Sequence, residues 1–118
     1  MPALPGGLES YSLIGAATTN AQVVKPSAGV LYGWFLSNIN AQEVYLKVYD
    51  KKTAADENDT PKLRILIPGG ATGLTSRHDM TEGVTFDQGI AIRLVVDAAD
   101  NGTTAPSAAE QLVNLMYQ

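Results

Sequence analysis

The sequence predicts an all-β domain, a β-sandwich of about eight strands in two sheets. Short runs of alternating apolar and polar residues recur along the 118 residues. Clusters of Gly, Pro, Asn and Asp separate them at close intervals. No segment sustains a helical period over several turns. The length and an apolar fraction of 45% supply one hydrophobic core and no second domain.

The elements follow in order. Residues 1–10 read as an N-terminal arm, because Pro2, Pro5, Gly6 and Gly7 forbid regular structure and leave Leu4 and Leu8 with nothing local to bury them. About ten extended residues reach roughly 30 Å, enough to lie across a neighbouring subunit. The single domain is then 11–118. Tyr11–Thr18 is the first strand, and Gln22–Lys25 is a short second one stopped by Pro26. Val30–Ile39 is the most apolar stretch and carries Tyr32, Trp34 and Phe35. In Glu43–Asp50, Val44, Leu46 and Val48 point one way and Tyr45, Lys47 and Tyr49 the other, the period of a half-buried strand. A polar loop, Lys51–Pro61, leads to Leu63–Ile67, which Pro68-Gly69-Gly70 ends. Gly73–Arg77 and Val84–Phe86 are weaker strands around a loop with His78, Asp79 and Glu82. Ile90–Asp97 holds Ile90, Ile92, Leu94 and Val96 in phase. After an Ala/Thr/Asn loop at 98–109, Glu110–Tyr117 closes the chain as a strand, although Ala108, Leu112 and Leu115 also have helical spacing. The period does not choose the connectivity, and a jelly roll is among those left open.

The residue inventory excludes most chemistry. The net charge is −4, and among the scattered cations only Lys51 and Lys52 adjoin. A nucleic-acid binder shows a basic stripe, and an anionic membrane wants the same, so neither partner is expected. With no cysteine, disulfides and thiolate metal sites are out. The first residues lack a signal-peptide pattern, and no apolar run approaches the ~20 residues of a membrane helix. A soluble chain made in the cytoplasm is expected.

The sole histidine, His78, stands beside Asp79 with no G-x-S-x-G elbow anywhere, and reads as a solvated loop histidine rather than a general base. Asp50, Asp56, Glu57 and Asp59 form one acidic cluster and Asp97, Asp100 and Asn101 another, but neither has calcium-loop spacing. Gly6-Gly7 and Gly69-Gly70 follow prolines and read as turns, not phosphate cradles. No catalytic residue, metal or cofactor is therefore expected, and the chain is not read as an enzyme. Tyr45 and Tyr49 share the outward face of their strand about 13 Å apart, a spacing that suits a sugar chain or a subunit interface. Trp34, in phase with Tyr32 and Leu36, reads as core or interface.

Several segments together resemble a family of small tailed-phage virion proteins. They are Thr18–Lys25, Ala28–Trp34, Tyr45–Lys51, Asp59-Thr60-Pro61, Ile67–Gly70, Gly89–Ile92, Ala98–Asn101 and Val113–Tyr117. The likeness runs over residues 13–118 in order and spacing; Thr72–Thr85 departs from it, being more polar than the family pattern. The resemblance implies a structural β-sandwich without activity, made in the host cytoplasm and placed on the virion. It implies a capsid decoration (cement) protein that binds the major capsid protein, in copies forming a homotrimer, with a tail or head-fibre adhesin for host carbohydrate as the alternative. On the decoration reading Leu4, Pro5, Leu8 and Tyr11 of the arm region would touch the partner. On the adhesin reading Tyr45 and Tyr49 would.

Overall fold

A computed structural model describes residues 7–70 and 74–118, with the side chains of 74–81 outside the description. Its strands are β1 (Glu9–Ile14), β2 (Gln22–Lys25), β3 (Gly29–Asn38), β4 (Val44–Asp50), β5 (Leu63–Ile67), β6 (Leu74–Phe86), β7 (Ile90–Val95) and β8 (Gln111–Tyr117). They form two antiparallel four-stranded sheets, ordered β1-β8-β3-β6 and β2-β7-β4-β5.

The pairing shows how the chain is wound. β4 pairs β5, β3 pairs β6, β2 pairs β7 and β1 pairs β8. The chain is thus one long antiparallel hairpin with its tip between β4 and β5. The hairpin is rolled so that its paired strands alternate between sheets. The pairings of β8 with β3 and of β7 with β4 then complete each sheet. This is the jelly-roll connection.

The period-two pattern is what packs the sheets together. Val44, Leu46 and Val48, with Ile65, Ile67, Ile90, Ile92 and Leu94, line the inner face of one sheet; Leu31, Leu36, Val113 and Leu115 line the other. Tyr11, Leu13, Trp34 and Tyr117 pack against this core at its margin. Fully burying each such aliphatic side chain is worth about 1.5–3 kcal/mol.

Leu31 and Leu36 are both fully buried although an odd step separates them, which a regular strand forbids. A bulge resolves it: Leu31 lies opposite Tyr117 and Gly33 opposite Met116, so Tyr32 is the extra residue and the phase flips. Trp34 and Leu36 consequently face inward, whereas Tyr32 leaves their phase. On the other side, Asp79 and Val84 lie opposite Gly33 and Leu31, so β6 sets Met80 to Gly83 against Tyr32 alone. Gly83 makes this loop-out feasible. Its φ is +76°, and a Cβ there would run into the Val30 side chain and sit 3.0 Å from the Leu31 carbonyl oxygen.

Three expectations change. The two weak strands and the His78 loop are one 13-residue strand, β6; Gly73 lies outside the described residues. Polar residues read as a loop are tolerated there because β6 is an edge strand with a partner on one side only. The arm ends earlier than residue 10, since Glu9 and Ser10 already pair with Tyr117 and Met116. The last segment is strand β8 throughout, its register with β1 and β3 overriding the helical spacing.

Candidate functional site

The two outer faces of the sandwich are built differently. On the β2-β7-β4-β5 sheet, the outward row at mid-height is Arg93, Lys47 and Arg64, directly opposite one another on β7, β4 and β5. Like charges in such positions repel, and here an adjoining loop accommodates them. Residues 97–104 fold back over the row, closed by a Val96 N–H to Thr104 carbonyl bond of 3.1 Å. Inside the loop the Asp97 carboxylate accepts from the Thr104 N–H at 2.8 Å. Lys47 donates its ammonium to the Ala99 carbonyl. Arg93 donates to the Gly102 carbonyl at 2.7 Å and to the Tyr49 hydroxyl at 3.3 Å. Arg64 grips Asp100 with two bonds, Nε–Oδ1 at 2.6 Å and Nη2–Oδ2 at 2.7 Å.

As a result Lys47 is 0% and Arg93 and Tyr49 are each 1% exposed although they point away from the core. Burial, and then the neighbouring Arg93 guanidinium, hold the Lys47 ammonium below the usual lysine value. The hydrogen bond from Arg64 holds the Asp100 carboxyl below the usual carboxylate value. Tyr49 also packs with Ala55 and Ala91, so the 51–61 loop covers the neighbouring part of the same face. Among the described residues Arg93 Nε has no hydrogen-bond partner.

This burial corrects the tyrosine platform. Tyr45 and Tyr49 do share a face, but only Tyr45, half-buried, reaches solvent, and its hydroxyl meets Glu43 at 3.5 Å. Tyr49 lies under the loops and is not open to a sugar.

The β1-β8-β3-β6 sheet carries no such covering over its described outward residues. Its registers stack them in rows: Ile14, Leu112 and Ser37; Ser12, Asn114 and Phe35; Ser10, Met116 and Gly33. None is charged. Ile14 is 60%, Leu112 47% and Phe35 45% exposed. On the fourth strand, Thr75, Arg77 and Asp79 stand in register beside Ser37, Phe35 and Gly33.

The expected arm contacts divide. Leu4 and Pro5 lie outside the described residues. Leu8 is exposed just before β1. Tyr11 belongs to β1 rather than to an arm: it pairs with Leu115 and packs on the core, and that burial raises its hydroxyl pKa.

The acidic clusters are engaged locally. Asp50 accepts from the N–H groups of Gln88 at 2.8 Å, Asp87 at 3.2 Å and Gly89 at 3.4 Å, which lowers its pKa. Asp59 pairs with Lys51 at 2.7 Å. Among the described residues no three His, Asp or Glu side chains gather as metal ligands. His78 and Asp79 take successive positions on β6 opposite Trp34 and Gly33.

At one end of the sandwich a cleft of about 210 Å³ lies between Asn40, Gln42, Val44, Val96, Gln111 and the segment Thr104–Ser107. Its amides are largely committed to one another. The buried Asn38 donates to the Gln42 carbonyl and accepts from Asn40 N–H and Gln111 Nε2, while Asn40 donates to Ser107 and Glu110. The volume is below that of usual ligand sites.

No family model matches the chain, and no curated protein matches it. Among solved structures it is similar to the coat protein of Tobacco streak virus, with a TM-score of 0.34 and 12% identity over 95% of this chain and 87% of that one. A superposition that loose fixes neither family nor function.

Proposed function

We propose that this chain is a structural component of a virus particle, a capsid decoration (cement) protein on the outer shell of a tailed phage, without chemistry of its own. The observation that carries the reading is the jelly-roll connection filled by an aliphatic core. Capsid and lectin domains use that connection. The step from fold to role is analogy, joined here to the resemblance of residues 13–118 to small virion proteins.

The reading assigns the parts as follows. The wound sandwich is the rigid body. Leu4, Pro5 and Leu8 are the contacts with the major capsid protein, reaching out ahead of β1, itself an edge strand. The shell's own three-fold positions would gather the copies into a homotrimer. Docking that buries on the order of 1,200 Å² or more per contact would stabilise the shell by mass action. The protein would be made in the host cytoplasm and end on the capsid surface. The adhesin alternative rested on Tyr45 and Tyr49 as an open pair and is not carried forward.

The test is add-back. Purified protein is mixed with particles from which its gene has been deleted, and binding and heat release of the genome are measured. Binding with a higher release temperature is expected, and removal of residues 1–8 should abolish both. Failure to bind, or binding at the tail in electron micrographs, refutes the capsid assignment.

A further inference from the structure

We infer that the uncovered face of β1-β8-β3-β6 is a self-pairing surface, and that its occupant is a second copy of this chain. The inference goes beyond the virion reading and does not rest on it.

The first argument is charge. The chain carries a net −4, so copies repel one another over most approaches. The rows centred on Leu112, Asn114 and Met116 hold no charged residue. Copies meeting there avoid most of that repulsion. An oppositely charged partner would find nothing on these rows to steer it.

The second argument is self-complementarity. β8 is the middle strand of the rows, so a two-fold axis at Asn114 sets each copy's β8 against the other's. Asn114 uses one amide donor on the Phe35 carbonyl at 3.3 Å. Its carbonyl and remaining N–H can meet the same pair on the copy, and serine hydroxyls match in the same way. Ile14, Leu112 and Phe35 then interdigitate across the gap, as inner faces do in stacked sheets.

The third argument is size, which also sets the strength. Four strands about 4.8 Å apart, each with three outward residues about 6.7 Å apart, span roughly 19 × 20 Å. Two such patches bring together on the order of 800 Å² before side-chain relief, which places the pair among weak, exchanging contacts.

The experiment is sedimentation of the isolated protein from about 5 to 500 μM, with amide NMR spectra over the same range. The mass should rise toward a dimer with concentration, and the amide shifts of Ser12, Phe35 and Asn114 should move with it. Leu112→Glu and Ile14→Glu, at exposed positions that leave the core intact, should each remain monomeric while keeping the wild-type melting temperature at the lowest concentration. A wild-type monomer throughout, or a concentration-dependent assembly that both substitutions leave intact, overturns the inference. A monomeric wild type whose binding to particles is lost in Leu112→Glu also overturns it and assigns the face to the shell. Failure of particle binding alone would overturn the virion reading and leave this one standing.

Discussion

On one side of the sandwich the outward residues Arg93, Lys47 and Tyr49 are sealed beneath two loops; on the other, Ile14, Leu112 and Phe35 stand in solvent. The same alternation of apolar and polar positions produced both faces. The difference comes from where the long connections lie. The loops after β4 and β7 fold onto the sheet that contains those strands, and nothing among the described residues does the same for β8 and β3. One consequence is that the charged residues sit where burial is deepest, and the apolar ones where it is least. The loop-covered face derives its stability from hydrogen bonds that fix two connections to the sheet. The bare face contributes little to stability and keeps its side chains for contact.

The largest expected effect falls on the covered face. Arg93→Ala removes the donor to the Gly102 carbonyl and to the Tyr49 hydroxyl and leaves a side-chain-sized void under the loop. Voids and orphaned groups of this kind cost about 3 kcal/mol. Urea unfolding should show that loss, and proteolysis should cut within residues 98–104 faster than in wild type. A loss below ~1 kcal/mol would mean that the loop is held mainly by Arg64 and Asp100, a surface pair of the kind usually worth at most ~1 kcal/mol.

Lys47→Met should be far milder and of opposite sign. It removes a buried ammonium flanked by Arg93 and Arg64 and loses one bond, to the carbonyl of exposed Ala99. Replacing a buried charge by an apolar chain of similar size is often neutral or stabilising, here by about 1 kcal/mol at neutral pH. The pH dependence fixes the cause. The folded pKa of Lys47 lies below its unfolded value of 10.5, so the folded protein holds that proton less tightly. The penalty is complete below the folded pKa and fades as pH rises through it toward 10.5. The gain in melting temperature of Lys47→Met over wild type should therefore shrink between pH 7 and pH 10. A constant gain would trace it to packing instead.

The faces were unequally legible in the sequence. Strict alternation in β4, β5 and β7 gave the inner residues directly, because each strand is regular and its neighbours repeat the pattern. It also put Tyr45, Lys47 and Tyr49 on the outer side. Their burial was hidden, since it depends on the path of loops that obey no period. Two adjacent strands with outward cations at matching heights were the only trace of the row. β3 was readable as a strand, but its bulge at Tyr32 was not: an extra residue is visible only against a partner's register. The β6 segment was mistaken for a loop because an edge strand does not need the apolar alternation that marks a central one. The jelly-roll connection came from pairings between distant strands, which local patterns do not record.

The smallest effect tests whether the second face is bare in the free protein. Leu112 points outward between Ile14 and Ser37 and is about half exposed. Leu112→Ser removes an apolar chain that the monomer covers only by its two cross-strand neighbours. Surface changes away from packed features stay within about 0.5 kcal/mol. Unfolding at low micromolar concentration, where pairing is negligible, should show no more than that. A loss of 2 kcal/mol or more would mean that Leu112 is covered within its own chain, which would remove the contrast between the faces and with it the room for a second copy.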